Sequence, residues 1–240
     1  MRLDHPDGLY DPDAYFCKLA EQCQRIGHTP FNSLSQTVIK LTVPGVPDIF
    51  QGCELWNFSL VNPDNRRPVD FGHCQTLLDS LQPLPTLESQ HRSARVRALC
   101  DESEDGRAKL LVVNTALTLR QSWPEVFQAG CYLALAIKGK QATCLCAYAR
   151  ITGQRIVITV APRFLARLQE EAGDLPLGEK IWGNTTVDLP FHQRDNQYTC
   201  AFTGKILKPQ QHFSKWRLPA AEILAEFPVG FILCERNAIQ

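Results

Sequence analysis

Apolar positions in the first half of the chain recur every three or four residues, the period of an amphipathic helix. Leu34, Val38 and Leu41 form such a stripe after Thr29-Pro30, a typical helix start, and Pro44-Gly45 would end it. A second stripe follows Asp11-Pro12 and consists of Tyr15, Phe16, Leu19 and Cys23. A third follows Glu104-Asp105-Gly106 and consists of Leu110, Val113 and Leu117. The first half is therefore predicted to be mainly helical.

The period of the pattern changes from Cys131 onward. Apolar and polar residues then alternate in short runs separated by turns rich in Gly, Pro and Asn, which is typical of antiparallel strands. The strand candidates are Cys144–Ala149, Arg155–Val160, Val187–Leu189, Gln197–Phe202 and Val229–Cys234. We expect a small antiparallel β-domain over residues 131–240, behind a first unit that covers residues 1–130.

Within the first unit, the pattern is less regular from Pro47 to Gln90. Pro47 to Phe50 is predicted to be a short buried strand, and Gln51 to Asp70 a long loop with a functional role. Leu77 to Gln90, which contains Pro83 and Pro85, is expected to be irregular.

The stretch from Pro44 to Asp70 has an unusual composition. Three aromatic rings, those of Phe50, Trp56 and Phe58, alternate with carboxylates and amides, and a double arginine follows. A solvated linker does not need so many rings, and a core does not tolerate so many charges. Rings beside groups that form paired hydrogen bonds suit a sugar, which has apolar faces and a belt of hydroxyls.

Charge and hydropathy limit the classes of partner. The 240 residues contain 25 basic and 25 acidic side chains, and this balance argues against nucleic acid or an anionic membrane as the main partner. No apolar run approaches the roughly 20 residues that span a bilayer. The acidic N-terminus does not resemble a signal peptide, so we expect a cytoplasmic protein.

Ten cysteines are scattered along the chain. In a cytoplasmic protein we expect them to be reduced, and to serve as small apolar residues in the core. Cys144 and Cys146 have a C-x-C spacing that could hold a metal on one face of a strand, but no second cysteine or histidine pair completes a site. We therefore expect no metal and no cofactor.

The motifs resemble those of the malto-oligosyltrehalose synthases of the α-amylase family. The segment PGVPDIFQGCELWNFSLVNPDNRRPVD follows the pattern of these enzymes almost residue for residue, with Phe50 in place of the usual tyrosine and Asn62 in place of the usual aspartate. MRLDHPDGLYDP at the start resembles a second family motif. Looser matches from Asp105 to Pro228 extend the resemblance to nearly the whole chain.

The spacing of the two motifs departs from that of the family. They belong to different barrel strands several hundred residues apart, whereas about forty residues separate them here. The chain is interpreted as internally deleted, with a joint near residues 20–31, and as truncated at its N-terminal end. The resemblance then implies an incomplete remnant of a (β/α)8 TIM barrel, followed by a C-terminal β-sandwich.

The resemblance also implies a reaction. These enzymes are isomerases of trehalose biosynthesis that convert the reducing-end α-1,4 bond of a linear α-1,4-glucan to an α,α-1,1 bond by intramolecular transglycosylation, with retention. Asp4 matches the nucleophile, Arg2 the arginine that orients it, and His5 a neighbour that contacts the sugar. The family's general acid and its third, stabilising carboxylate have no counterpart that we can identify in the chain.

The resemblance extends to the substrate-binding residues. Sugar contacts are expected from His5 and from the 44–70 stretch, at Gln51, Glu54, Trp56, Asp64, Asn65, Arg66, Arg67 and Asp70. A structural interpretation is also open, in which Asp64 and Asp70 pair with Arg66 and Arg67 to order a long loop. Trp56 could equally stack on glucose or cover the core, whereas Trp182 and Trp216 are expected in the core.

With one of three catalytic carboxylates recognised, the chain is predicted to lack autonomous activity. The alternatives are a non-catalytic glucan-binding remnant and a poorly folded fragment. A partial barrel could also associate with other chains through its exposed faces, and one of those chains could supply the missing strands.

Overall fold

The computed structural model describes residues 31–57, 68–168 and 175–235. Its first part is helical and its second part is built from antiparallel strands. The helices are α1 (Phe31–Thr42), α2 (Phe71–Leu81), α3 (Ser89–Asp101), α4 (Arg107–Ser122), α5 (Pro124–Gln128), α6 (Gly178–Trp182) and α7 (Ala220–Ile223), with short 3₁₀ turns at Leu84–Thr86, Ser103–Asp105, Ala142–Cys144 and Leu165–Arg167.

The strands form two sheets. They are β1 (Cys131–Ala134), β2 (Ile137–Lys138), β3 (Leu145–Thr152), β4 (Arg155–Pro162), β5 (Thr186–Asp188), β6 (Gln197–Cys200), β7 (Ile206–Leu207), β8 (Gln210–His212), β9 (Lys215–Pro219) and β10 (Gly230–Glu235). One sheet has the order β1-β3-β4-β10-β6-β7 and the other the order β2-β5-β9-β8. Neighbouring strands in the described ranges run antiparallel.

Helix α1 joins the helical part to the larger sheet. Its buried stripe contains Leu34, Val38 and Leu41, as the sequence predicts, and the helix packs against β4. Thr42 ends the helix with a hydroxyl 2.6 Å from that of Tyr148 on β3, and the Thr159 hydroxyl of β4 donates to it at 3.0 Å. Helix and sheet thus share one buried core, in which these three polar groups are satisfied together.

Several sequence predictions are confirmed. Helices occupy 31–42 and 107–122, and β3, β4, β5, β6 and β10 coincide with the five strand candidates. Trp182 is fully buried, whereas Trp216 is half-buried against the core. The predicted strands therefore lie in well-buried sheets, and β4 is buried almost throughout its length, on both faces.

Three local predictions are wrong. Pro47 to Phe50 is not a strand, and the Phe50 side chain is 51% exposed. Leu77 to Gln90 is largely helical, because α2 runs to Leu81, a 3₁₀ turn covers Leu84–Thr86 and α3 starts at Ser89. Leu117 is 44% exposed, since the buried face of α4 passes through Leu110, Val113 and Ala116 instead. Strands β1, β2, β7, β8 and β9 are too short or too exposed to show a clear alternation.

Within the described ranges, no helix combines the length and the apolar character needed to cross a bilayer. The cysteines of this part are free thiols, and Cys100, Cys144, Cys200 and Cys234 are buried. No cluster of three or more His, Cys, Asp or Glu side chains that could hold a metal ion occurs among the same residues.

Candidate functional site

The candidate site begins where the chain leaves α1. After Thr42 the backbone turns through Gly45, and Arg120 of α4 donates to the carbonyl oxygens of Leu41 at 3.1 Å and Gly45 at 3.3 Å. The Arg120 guanidinium also lies 4.9 Å from the centre of the Phe127 ring. Backbone carbonyls at a helix end are unpaired acceptors, and a cation there satisfies them. The start of the 44–57 segment is therefore fastened to α4.

The far end of the same segment is fastened more firmly. The Trp56 indole N–H donates to the Ser103 carbonyl at 2.6 Å, and the Lys109 ammonium donates to the Leu55 carbonyl at 2.8 Å. The ammonium also lies 5.5 Å from the centre of the Trp56 ring, within range of a cation–π attraction. Trp56 is half-buried and packs against the core, which is a structural role for this ring.

Gly106 allows the backbone at Leu55 and Trp56 to lie close to the start of α4. It has a φ of +81° immediately before this helix, and a Cβ built on it would lie 3.2 Å from both the Leu55 side chain and the Trp56 backbone nitrogen. Only glycine adopts this left-handed conformation without strain, and it also leaves room for the 55–56 backbone. The end of the 44–57 segment therefore packs against the turn that precedes α4.

Charged and thiol groups gather on the same side. Burial lowers the pKa of Lys109, and the nearby Cys53 and Glu54 partly offset this effect. Burial raises the pKa of the Cys74 thiol, and the negative charges of Glu54 and Asp70 add to the increase. Glu54 is thus close enough to influence groups on both α2 and α4, and it is half-exposed to solvent.

Asp70 has a clear local task. Its side chain accepts a hydrogen bond from the His73 backbone N–H at 2.8 Å and so caps the N-terminus of α2. Such a cap is worth about 1 kcal/mol. Asp70 is also exposed, and one of its carboxylate oxygens is engaged in the cap. Gln51 is exposed in the turn that precedes Glu54.

The remaining predicted site residues lie outside the described ranges. They are the proposed nucleophile Asp4 with Arg2 and His5, and Asp64, Asn65, Arg66 and Arg67 from the loop. The structure thus brings Glu54, Trp56 and Asp70 to one side of α2 and α4. The suggested pairing of Asp64 and Asp70 with Arg66 and Arg67 stays a prediction.

Sequence reasoning missed Lys109, Arg120 and Ser103, which hold the segment in place. The signal available for Lys109 was its position between two apolar residues, Ala108 and Leu110, both of which are buried. A lysine on the edge of a buried helix face commonly extends its ammonium to a nearby acceptor. Ser103 acts through its backbone carbonyl, so the identity of the residue at this position does not indicate the contact.

A lysine-to-methionine change at position 109 tests this anchor. Methionine retains most of the apolar stem but leaves the Leu55 carbonyl without its donor. The free energy of unfolding is therefore expected to fall by about 1–2 kcal/mol. Amide hydrogen exchange should speed up within residues 51–57 more than in α4. Lys138→Met, at an exposed strand position, is the matched control and should change neither quantity. Unchanged exchange in residues 51–57 would refute the anchoring role.

Comparison with known proteins supports the resemblance seen in the motifs. No protein-family model matches the chain. A putative maltooligosyl trehalose synthase from Mycobacterium tuberculosis is 33% identical over 206 residues, which are 86% of this chain but 21% of that protein.

Solved structures agree with this relationship. The maltooligosyltrehalose synthase from Arthrobacter ramosus superposes with a TM-score of 0.60 at 28% identity, and the match covers 93% of this chain and 24% of that one. A maltogenic α-amylase from Thermotoga neapolitana has a TM-score of 0.50 at 13% identity, which shows a shared fold alone. The chain is therefore similar, over most of its own length, to a part of these maltooligosyltrehalose synthases. That part makes up about a fifth to a quarter of their length.

Proposed function

We propose that this chain carries part of the glucan-binding surface of a malto-oligosyltrehalose synthase and does not rearrange glucan by itself. The observation that supports this proposal best is the 44–57 segment. Its sequence matches a family motif, and two hydrogen bonds hold it, from Trp56 to Ser103 in the turn before α4 and from Lys109 of α4 to Leu55. A loop that binds a flexible sugar gains affinity when its backbone is held in place before the sugar arrives.

The substrate proposed for the whole enzyme is a linear α-1,4-glucan, and the contacts lie near its reducing end. Glu54 and Gln51 are available to hydroxyls because neither is fully buried. Asp70 contributes through its second carboxylate oxygen, since the first caps α2. Asp64, Asn65, Arg66 and Arg67 are assigned to the same surface by the motif.

The chemistry explains why the chain alone is expected to be inactive. A retaining transglycosylation requires a carboxylate nucleophile and a carboxylic acid that protonates the departing oxygen. Asp4 is assigned the first role, with Arg2 stabilising its ionised form. The second role and the stabilising carboxylate have no assigned residue in the sequence, and both must be held within roughly half an ångström of their working positions.

The proposed architecture follows from the same resemblance. Residues 1–130 would correspond to part of the catalytic barrel and residues 131–240 to the C-terminal β-sandwich. The change from helices to antiparallel strands between Gln128 and Cys131 supports a division at this point. The assignment to cytoplasmic trehalose biosynthesis, as an isomerase, also belongs to this proposal.

An assay of reducing ends tests the proposal directly. Incubation of the purified chain with maltopentaose should leave the concentration of reducing ends unchanged, because rearrangement to an α,α-1,1 bond removes one reducing end per turnover. Loss of reducing ends above that of a heat-denatured control, with formation of a trehalose-capped product, would contradict the proposed lack of autonomous activity.

A further inference from the structure

A second concave surface lies on the larger sheet, on elements other than those of the 44–57 segment. In the antiparallel pair of β6 and β10, Thr199 is opposite Leu233 and Gln197 is opposite Glu235. Opposed residues of such a pair point to the same face. These four side chains line a cavity of about 460 Å³, together with Asp195 and Trp123.

The Trp123 side of this cavity is held by an ion-pair network. The Arg155 guanidinium lies 4.9 Å from the centre of the Trp123 ring. It also pairs with Glu125 at 2.9 Å and with Glu235 at 3.3 Å. Trp123 is half-buried at the junction of α4 and α5. Both the ring and the Glu235 carboxylate are thus restrained before any ligand arrives.

The lining has the chemistry of a sugar site. The Trp123 ring and Leu233 offer apolar surface. Gln197 and Thr199 on β6 and Asp195 in the turn before it offer donors and acceptors. Arg155 offsets the charge of Glu235, and none of the described lining residues is a lysine or arginine, so an anionic ligand is disfavoured. A volume of several hundred Å³ is typical of small-ligand sites.

We propose that this cavity binds a short stretch of a neutral α-glucan, as a contact separate from the 44–57 segment. The choice of an α-glucan rests on the proposed function, whereas the preference for a neutral polyhydroxylated ligand rests on the lining. Another cavity, of about 380 Å³, is lined by Gly178, Glu179, Lys205, Ile206, Leu207, Ala221, Glu222 and Ala225. It offers no aromatic ring among its described residues, and it provides the control position.

Calorimetric titration of the chain with maltoheptaose tests the proposal. Gln197→Ala changes an exposed strand side chain, and the loss of a sugar hydrogen bond should weaken binding about tenfold. Glu222→Gln, in the other cavity, should bind like the unsubstituted chain. Thermal melts of both variants check that neither has lost the fold. Binding should also change the tryptophan fluorescence, and Trp123→Phe should reduce that change.

The outcomes separate this proposal from the proposed function. Weaker binding in Gln197→Ala but not in Gln51→Ala supports the cavity as the binding site. Weaker binding in Gln51→Ala alone places the sugar on the 44–57 segment and overturns the cavity proposal, while leaving the proposed function intact. Absence of binding by the unsubstituted chain at millimolar maltoheptaose overturns both proposals. Preferential binding of spermine, a polycation that would pair with Asp195 and Glu235, overturns the cavity proposal alone.

Discussion

Replacing Trp182 with alanine should lower the free energy of unfolding by about 3–5 kcal/mol, the range for removing a large buried aromatic side chain. Trp182 is fully buried, and its indole N–H donates to the Pro176 carbonyl at 2.8 Å. Alanine would leave a cavity in the core and a buried carbonyl without its donor. Chemical denaturation followed by circular dichroism measures the change.

Trp216→Ala is the control for Trp182→Ala. Trp216 lies on β9 and is half-buried, and the centre of its ring lies 4.5 Å from that of the His192 ring, with the two planes tilted by 52°. Its removal should therefore cost clearly less. Equal losses for the two variants would contradict the burial seen in the structure. A broad, non-cooperative transition in the unsubstituted chain would support the alternative that it is a poorly folded fragment, because a packed core unfolds cooperatively.

Stability should also fall steeply as the pH rises from about 9 to about 12. Burial raises the pKa of the Cys100 thiol from 9.0 to about 12 and that of the Tyr148 hydroxyl from 10.0 to about 12. In the unfolded chain both groups lose their protons first, so the unfolded state binds fewer protons in this range and is favoured increasingly. The two contributions are fully present below pH 9 and are lost as the pH rises through the folded-state values.

The expected sizes allow the two groups to be separated. The difference between folded and unfolded pKa corresponds to about 4 kcal/mol for Cys100 and about 3 kcal/mol for Tyr148. Cys100→Ala should remove the part of the decrease that begins near pH 9, and Tyr148→Phe the part that begins near pH 10. Urea denaturation at half-unit pH intervals measures both effects. Cys53→Ala, at a half-exposed thiol, should follow the unsubstituted chain.

A pH dependence that neither variant alters would show that other groups control alkaline unfolding. Tyr148 is informative because its hydroxyl is hydrogen-bonded to that of Thr42 at the end of α1, which also accepts from Thr159 of β4. Ionisation there would place a charge at the contact between helix and sheet. The same variant therefore reports how strongly this contact depends on a neutral phenol.

The elements that could be predicted are those marked by a helical period or by short runs of strand-forming residues. The stripe Leu34, Val38 and Leu41 predicted α1, because one face of this helix packs on the core. Alternation predicted β3 and a run of β-branched residues predicted β4, and both strands are buried along most of their lengths. The prediction for Pro47 to Phe50 was wrong because Ile49 and Phe50 are only two consecutive apolar residues after Asp48, too few to show the period of a strand. The prediction of irregular structure from Leu77 to Gln90 was wrong because Pro83 and Pro85 lie between α2 and α3, outside both helices.

The candidate site divides in the same way. The motif of the 44–70 stretch and its likeness to a sugar-binding surface were evident from residue types alone. The anchoring of this stretch was not, because the Trp56–Ser103 and Lys109–Leu55 hydrogen bonds join residues about fifty positions apart. Both acceptors are backbone carbonyls, which any residue would provide, and that of Ser103 lies in a 3₁₀ turn.

By itself, the amino-acid sequence determined the helical first part, the antiparallel second part and the resemblance to malto-oligosyltrehalose synthases, because periodicity and motif spelling are properties of neighbouring residues. Only the tertiary structure decided which groups meet across the chain. The hydrogen bond from Trp56 to Ser103 and the contacts of Arg155 with Trp123 and Glu235 depend on how helices and strands pack. The cavity of β6 and β10 depends further on strand register, since a shift of one residue would turn Gln197, Thr199, Leu233 and Glu235 to different faces.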